Sequence, residues 1–167
     1  KLLMVERSFD QVELFFNEKE YSHKVFKVLN FDEGFSGYDT IHRSGCCAYE
    51  LNRDSIYSPY IEGSFQELTT SDHAWLRISV WMYPKQRDVI NLFSLSASFD
   101  YNGYPYKYKT IDSEDLDLKP FQWNKIEFDY LTPEVRSVAD KFRVIVWNRG
   151  ESTFLVDDLK VEVFEKK

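Results

Sequence analysis

The chain is short of the residues that announce most chemistries: two cysteines, six glycines and five prolines in 167 residues. The cysteines, Cys46 and Cys47, are adjacent, so neither a disulfide framework nor a spaced metal-binding pair is present. Neighbouring strand residues point to opposite faces, and both are expected to be free structural thiols. They leave the redox compartment open. His23, His42 and His73 stand apart, without the spacing of zinc ligands. No apolar run approaches the ~20 residues of a spanning helix, so direct membrane insertion is not expected. The chain carries 21 basic against 28 acidic residues, a net charge of −7. That balance argues against nucleic acid and anionic membrane surfaces as partners. No serine nucleophile elbow, phosphate-cradling glycine loop or redox cysteine motif occurs. The acidic run Asp112–Asp117 reads as a solvated loop, and no two carboxylates are paired as a glycosidase requires. The chain is therefore not expected to be an enzyme.

What is present is a large stock of core-forming residues, 43% hydrophobic and 17% aromatic, enough to exclude disorder. The chain opens on Lys1 and is read as a mature or excised fragment. Residues 1–20 are expected to be an N-terminal arm or linker end, and 21–167 a single domain. Alternation is clearest at Leu76, Ile78, Val80 and Met82, against Trp75, Arg77, Ser79, Trp81 and Tyr83. Phe93, Leu95, Ala97 and Phe99 alternate with Ser94, Ser96 and Ser98. Asn102-Gly103 signals a hairpin, and Ile126, Phe128 and Tyr130 oppose Lys125, Glu127 and Asp129. Further short strands are expected at Tyr21–Asn30, Cys46–Leu51, Ile56–Pro59 and Phe65–Leu68. The segment from Lys141 to Phe164 reads as two strands joined in a hairpin by a turn at Asn148–Ser152. In its second strand Asp157 shares parity with Leu155, Leu159, Val161 and Val163, which places a carboxylate on the core side. Such a group needs a cation, strong donors or a strand break. Eight to ten short strands without an amphipathic helix define an all-β fold, a sandwich or barrel.

Asn30-Phe31-Asp32-Glu33, Ser44-Gly45-Cys46-Cys47-Ala48-Tyr49, Trp123-Asn124-Lys125-Ile126 and Phe154–Val161 together resemble the jelly-roll sandwiches of carbohydrate-binding modules, within the galactose-binding-like fold. The resemblance spans about residues 25–165. It implies a jelly-roll β-sandwich of two antiparallel sheets, and a non-catalytic accessory domain of a larger extracytoplasmic protein, periplasmic, secreted or on the cell surface. It implies a glycan or polysaccharide ligand and a neighbouring domain of the parent protein as partners. It also implies a structural calcium ion held by Asp32 or Glu33, by backbone oxygens near Ser44 and Gly45, and by Asp157. The family usually carries Glu where this chain has Asp32. The alternative at Asp157 is bonding to backbone amides or to a neighbouring Arg.

Two ligand-binding surfaces suggest themselves. Flat rings accept the C–H faces of sugars while Arg and Ser bond hydroxyls. The outward set Trp75, Arg77, Trp81 and Tyr83 fits that plan, and Arg143, Trp147 and the serine row would join it if their strands share its sheet. The alternative is that these rings are secondary core, covered by the arm or by loop 52–72. Tyr104 and Tyr106, in line with Tyr108, form the second candidate, or else an edge strand packed on itself. The rival function is a protein–protein scaffolding domain accessory to an envelope glycosyltransferase or glycoside hydrolase; a lyase or hydrolase on the same sandwich is a third reading.

Overall fold

The computed structural model describes residues 19–32, 40–87 and 92–167. Most of the expected N-terminal arm, and Glu33, lie outside the described residues. The strands are β1 (Tyr21–Leu29), β2 (Tyr49–Leu51), β3 (Ile61–Ser64), β4 (Trp75–Pro84) and β5 (Phe93–Tyr101). After these come β6 (Tyr104–Asp112), β7 (Asn124–Leu131), β8 (Lys141–Asn148) and β9 (Phe154–Lys166). One sheet runs β1-β9-β4-β7, with β2 also paired to β9, and the other runs β3-β8-β5-β6. All these pairings are antiparallel. The all-β sandwich read from the sequence is the observed one.

Period-two alternation builds the core, because every second residue of each strand points inward. Leu76, Ile78, Val80 and Met82 of β4 face Phe93, Leu95, Ala97 and Phe99 of β5, and all are fully buried. Phe142, Val144 and Val146 of β8 complete the inner layer. Phe99 lies at its centre, its ring 5.1 Å from Phe142, 6.1 Å from Tyr130 and 6.3 Å from Phe65. The Asn102-Gly103 hairpin joins β5 to β6, with φ of 51° and 81° at the two turn residues. Both values are positive, as a two-residue turn of this type demands.

Four local expectations are corrected. Phe65–Leu68 is a one-turn helix, α1, not a strand. Its signal was the Ser64…Glu67 spacing of a capping box: Glu67 Oε2 accepts from the Ser64 amide and hydroxyl at 2.5 and 2.8 Å. The strand expected at Cys46–Leu51 contracts to β2, and Ile56–Pro59 makes only an isolated bridge, Tyr57 to Trp147. Finally, β8 and β9 are not a hairpin. The chain between them crosses from one sheet to the other, because β8 pairs with β3 and β5 while β9 pairs with β1, β2 and β4.

The parity of β9 is also different from the expected one. Between Ser79 and Trp81 the β4–β9 register slips, so that Lys160 and Asp157 face residues only two apart. The extra β9 residue is a bulge, with Asp158 at φ 50°. Phe154 and Val156 face the core before it, and Leu159, Val161 and Val163 after it. Asp157 lies opposite Trp81, on the outward side, and is fully buried there by the loop above it rather than by the core.

Phe99→Ala should cost about 3–5 kcal/mol, the range for emptying a buried aromatic position, measured by guanidinium unfolding. A loss below about 1 kcal/mol would place the centre of packing elsewhere.

Candidate functional site

The two outer faces carry different chemistry. Trp75, Arg77, Ser79, Trp81 and Tyr83 project from β4 in the five-stranded sheet. Arg143, Ile145 and Trp147 project from β8, and Ser94, Ser96 and Ser98 from β5, in the four-stranded sheet. The condition for joining them, a shared sheet, is not met: they lie on opposite sides of the sandwich.

The β4 face is partly covered by its own neighbours: Arg77 and Ser79 are buried, while Trp75, Trp81 and Tyr83 are half-buried. Arg77 is buried, with Nε 3.2 Å from Asp129 and 3.7 Å from Glu127, and its guanidinium lies 5.1 Å over the Phe164 ring. A charge out of water needs such partners. Burial pushes the Asp129 carboxyl up, against the pull of Arg77. Trp75 and Tyr21 pack on Phe164, whose ring His23 stacks at 4.7 Å. His23 also reaches Glu162 at 3.1 Å, and Glu162 reaches Lys160 at 3.0 Å. Trp81 lies under the Arg43 guanidinium at 4.5 Å, and Tyr83 meets Trp123 edge-on at 5.5 Å. The rings are thus covered in part, by Arg43, Trp123, Tyr21 and His23, which belong to neither the arm nor the loop 52–72 that the secondary-core alternative named.

The face of the four-stranded sheet stays open. Register aligns Trp147 with Ser94 and Asp112, Ile145 with Ser96 and Thr110, and Arg143 with Ser98 and Tyr108. Glu62 of β3 flanks Arg143 on the other side. Trp147 is 39% exposed and Tyr57 52%, their rings 6.0 Å apart and 24° from parallel. Segment 56–58 is held along β8 by Ser58 N to Val146 O at 3.0 Å and Asn148 N to Ile56 O at 2.8 Å. That pins Tyr57 beside Trp147. Ser94 Oγ donates to Asp112 at 2.5 Å, and Ser96 and Thr110 hydroxyls meet at 2.8 Å. Arg143 donates twice to Glu62 Oε2, at 3.2 and 2.7 Å, with the Tyr60 ring 4.7 Å from its guanidinium.

The tyrosine row does not form. A register slip between Phe99 and Asp100 breaks β6 parity. Tyr108 remains on the open face and Tyr104 is exposed at the hairpin. Tyr106 turns to the core edge, donating to Asp140 Oδ2 at 2.7 Å, with Arg136 4.8 Å from its ring. Burial and this carboxylate push its phenol up to about 12. Tyr57, Tyr60, Glu62, Thr110 and Asp112 were not singled out from the sequence. Thr110 and Asp112 share parity with Tyr108, a usable signal; nothing in the sequence places Tyr57 beside Trp147.

At the expected calcium position, amide N–H groups converge on the carboxylates. Asp157 Oδ2 accepts from Arg43 N at 2.8 Å and Ser44 N at 3.1 Å, and Oδ1 from Asp158 N at 2.8 Å. Burial pushes the Asp157 carboxyl up while the Ser44 and Arg43 amides pull it down. Asp32 Oδ1 accepts from Cys46 N at 2.7 Å and Cys47 N at 3.2 Å, and Oδ2 from Asn30 at 2.8 Å. Ser44 Oγ is engaged by Asp158 at 2.6 Å. Calcium needs six to eight oxygens. A turn that aims protons at both carboxylates does not fit that donor set, and the bonding to backbone amides weighed at Asp157 is what the geometry displays.

No protein-family model matches the chain, and no curated protein does. Solved structures do. The CBM22-1 xylan-binding domain of Paenibacillus barcinonensis Xyn10C superposes with a TM-score of 0.57 at 10% identity, over 85% of this chain and 96% of that one. The CBM22-2 xylan-binding domain of the same enzyme gives 0.52 at 15%, over 89% and 94%. The CBM22-1-GH10 modules of Clostridium thermocellum endo-1,4-beta-D-xylanase 10B, complexed with xylohexaose, give 0.53 at 18%, over 85% of this chain and 28% of theirs. The fold is thus that of the carbohydrate-binding-module sandwiches. At these identities the likeness is one of fold.

Two outcomes check the turn. Calcium at a hundredfold its Kd would add ~2.7 kcal/mol, about 5–10 °C in Tm for a domain of this size. The expected shift between EDTA and millimolar calcium is nil, and a rise of that order would restore the ion. The Cys46 amide, chief among its donors, lowers the Asp32 carboxyl from its ordinary 3.8. Its stabilisation is therefore complete above that value and lost as pH falls through the lowered one. Asp32→Asn should flatten the acid limb of the Tm–pH curve; an unchanged limb would show that the amides do not hold the carboxylate.

Proposed function

We propose that the outer face of the four-stranded sheet binds a polysaccharide, in a non-catalytic module of a larger extracytoplasmic protein. The observation that carries this is the Tyr57–Trp147 ring pair, partly exposed and beside rows of hydroxyl, carboxylate and guanidinium groups. Aromatic faces take the apolar side of a sugar, and the polar rows orient its hydroxyls. From Arg143 to Trp147 the strand spans about 13 Å, longer than a single hexose ring. A cleft of about 530 Å³ exists elsewhere, between residues 65–73 and 134–138, lined by Gln66, Asp72, His73 and Glu134 among others. Phe65, Val135 and Val138 line it too, but its phenyl ring, Phe65, is buried and its one exposed ring is the imidazole of His73. The open face with its indole and phenol is therefore the better platform, and an open platform suits the interior of a chain rather than its end. The neighbours described as xylan-binding share the fold and support the ligand class. In this reading the site comprises Arg143 and Trp147 with Tyr57, Ser96 and Thr110, and leaves out Trp75, Arg77, Trp81 and Tyr83.

Affinity electrophoresis and calorimetry against xylans, β-glucans, galactans and mannans test the proposal. Retardation by at least one polymer is expected, with Trp147→Ala weakening it tenfold or more, about 1.4 kcal/mol. Trp81→Phe, on the opposite sheet, should leave affinity unchanged. Retardation by none of these polymers, or loss with the Trp81 variant alone, would overturn the assignment.

A further inference from the structure

We propose that Cys46 and Cys47 form a reversible vicinal disulfide, making the turn over Asp32 a redox modification site. As strand neighbours the two side chains would diverge. They do not, because residues 46 and 47 lie outside any strand and both their amides donate to one oxygen, Asp32 Oδ1. Successive amides in an extended strand alternate sides, so this shared acceptor requires a curled backbone. Gly45 makes the curl, at φ 58°; a Cβ there would lie 2.0 Å from Asp32 Oδ2, so the position admits only glycine. The result is an Sγ–Sγ separation of 3.0 Å, with Cys46 exposed and Cys47 partly so. The chain has no third cysteine. An intrachain disulfide can therefore join only these two residues.

The reaction needs an oxidant, which we assign to the class of small-molecule disulfides such as oxidised glutathione. One cysteine, as its thiolate, attacks the reagent's S–S bond and expels one thiol. The second cysteine, also deprotonated, then displaces the other from the mixed disulfide. Two protein thiols lose two electrons and two protons, and the reagent is reduced to two thiols. Closing the gap from 3.0 Å to about 2.05 Å is a small movement. Hydrogen bonding to Cys47, desolvation and Asp32 push the Cys46 thiol up to about 12, so Cys46 reacts slowly as a nucleophile. A ring closed between adjacent residues is strained and easily reduced, which suits a labile modification rather than a structural bridge.

The test treats the folded protein with oxidised glutathione, removes the reagent, and counts free thiols by Ellman's reaction alongside intact mass. The expected product has lost both titratable thiols, is lighter by two hydrogens, runs as a monomer on a non-reducing gel and recovers with dithiothreitol. Cys47→Ser should instead carry one glutathione. Wild-type protein that accumulates glutathione adducts or disulfide-linked dimers, or keeps both thiols, overturns the proposal. So does thiol loss reversed by a chelator and not by reductant, which would mark a bound thiophilic ion. Glycan binding is not read here, so the outcome is independent of the open face.

Discussion

The sandwich depends on the bulge at Asp157–Asp158 and on the amides that receive it. Among the described residues β9 is the one strand with three partners, β1, β2 and β4. Over its thirteen residues it must face the core at both ends while the sheet twists beneath it. One extra residue re-aims the strand, so that Phe154 and Val156, then Leu159, Val161 and Val163, all reach the interior. The displaced carboxylate is pinned from above by Arg43 and Ser44 amides. Leaving it unpaired there would cost several kcal/mol. The same contacts lay Arg43 over Trp81 and start the turn that Asp32 completes through Cys46 and Cys47. One irregularity thus fixes the sheet, covers an indole and bends the dithiol turn.

Much of the architecture was legible because alternation is local. β4, β5, β7 and the Asn102-Gly103 hairpin could be read from spacing alone, and the two-layer fold follows from them. What failed was everything that depends on which strands become neighbours. Leu155, Asp157 and Leu159 look equivalent in a parity argument; a bulge decided by the β4 pairing separates them. The turn after Asn148 looks like a hairpin loop, yet β8 finds better-matched partners in β3 and β5. Trp81 and Trp147 have similar sequence surroundings and opposite fates, since burial is set by residues distant in the chain. The vicinal cysteines were judged as strand residues, and only the Asp32 contact, fourteen residues away, removes them from that conformation.

The two outer faces show how one composition serves two purposes. Both have indoles, arginines and acids. On the β4 side Arg77 lies among Asp129, Glu127 and Phe164, and the covering groups come from β7 and β9 on either side. A central strand is easily roofed by long side chains from both neighbours. Trp147 has Ser94 on one flank and Tyr57 on the other. Serine is too short to roof an indole, and Tyr57 stacks beside it. The difference between the two faces therefore lies in what reaches over them: Phe164 and the carboxylates over Arg77, Arg43 over Trp81, and a ring laid beside rather than over Trp147.

The polar groups of the open face are already tied to one another. Ser94 is tied to Asp112, Ser96 to Thr110, and Arg143 to Glu62. Ser96 and Thr110 keep acceptor lone pairs free whichever of them donates, whereas Ser94 is buried and Asp112 also meets Arg149 at 3.5 Å. The face thus carries both donors, from Arg143, and acceptors, from Ser96, Thr110 and Glu62, and a polyhydroxylated ligand would use both. Exchanging water for such bonds yields about 1 kcal/mol apiece at most, since each replaces one already made. In the proposed complex orientation would come from the hydroxyl rows, and most of the net attraction from the area that Trp147 and Tyr57 remove from water.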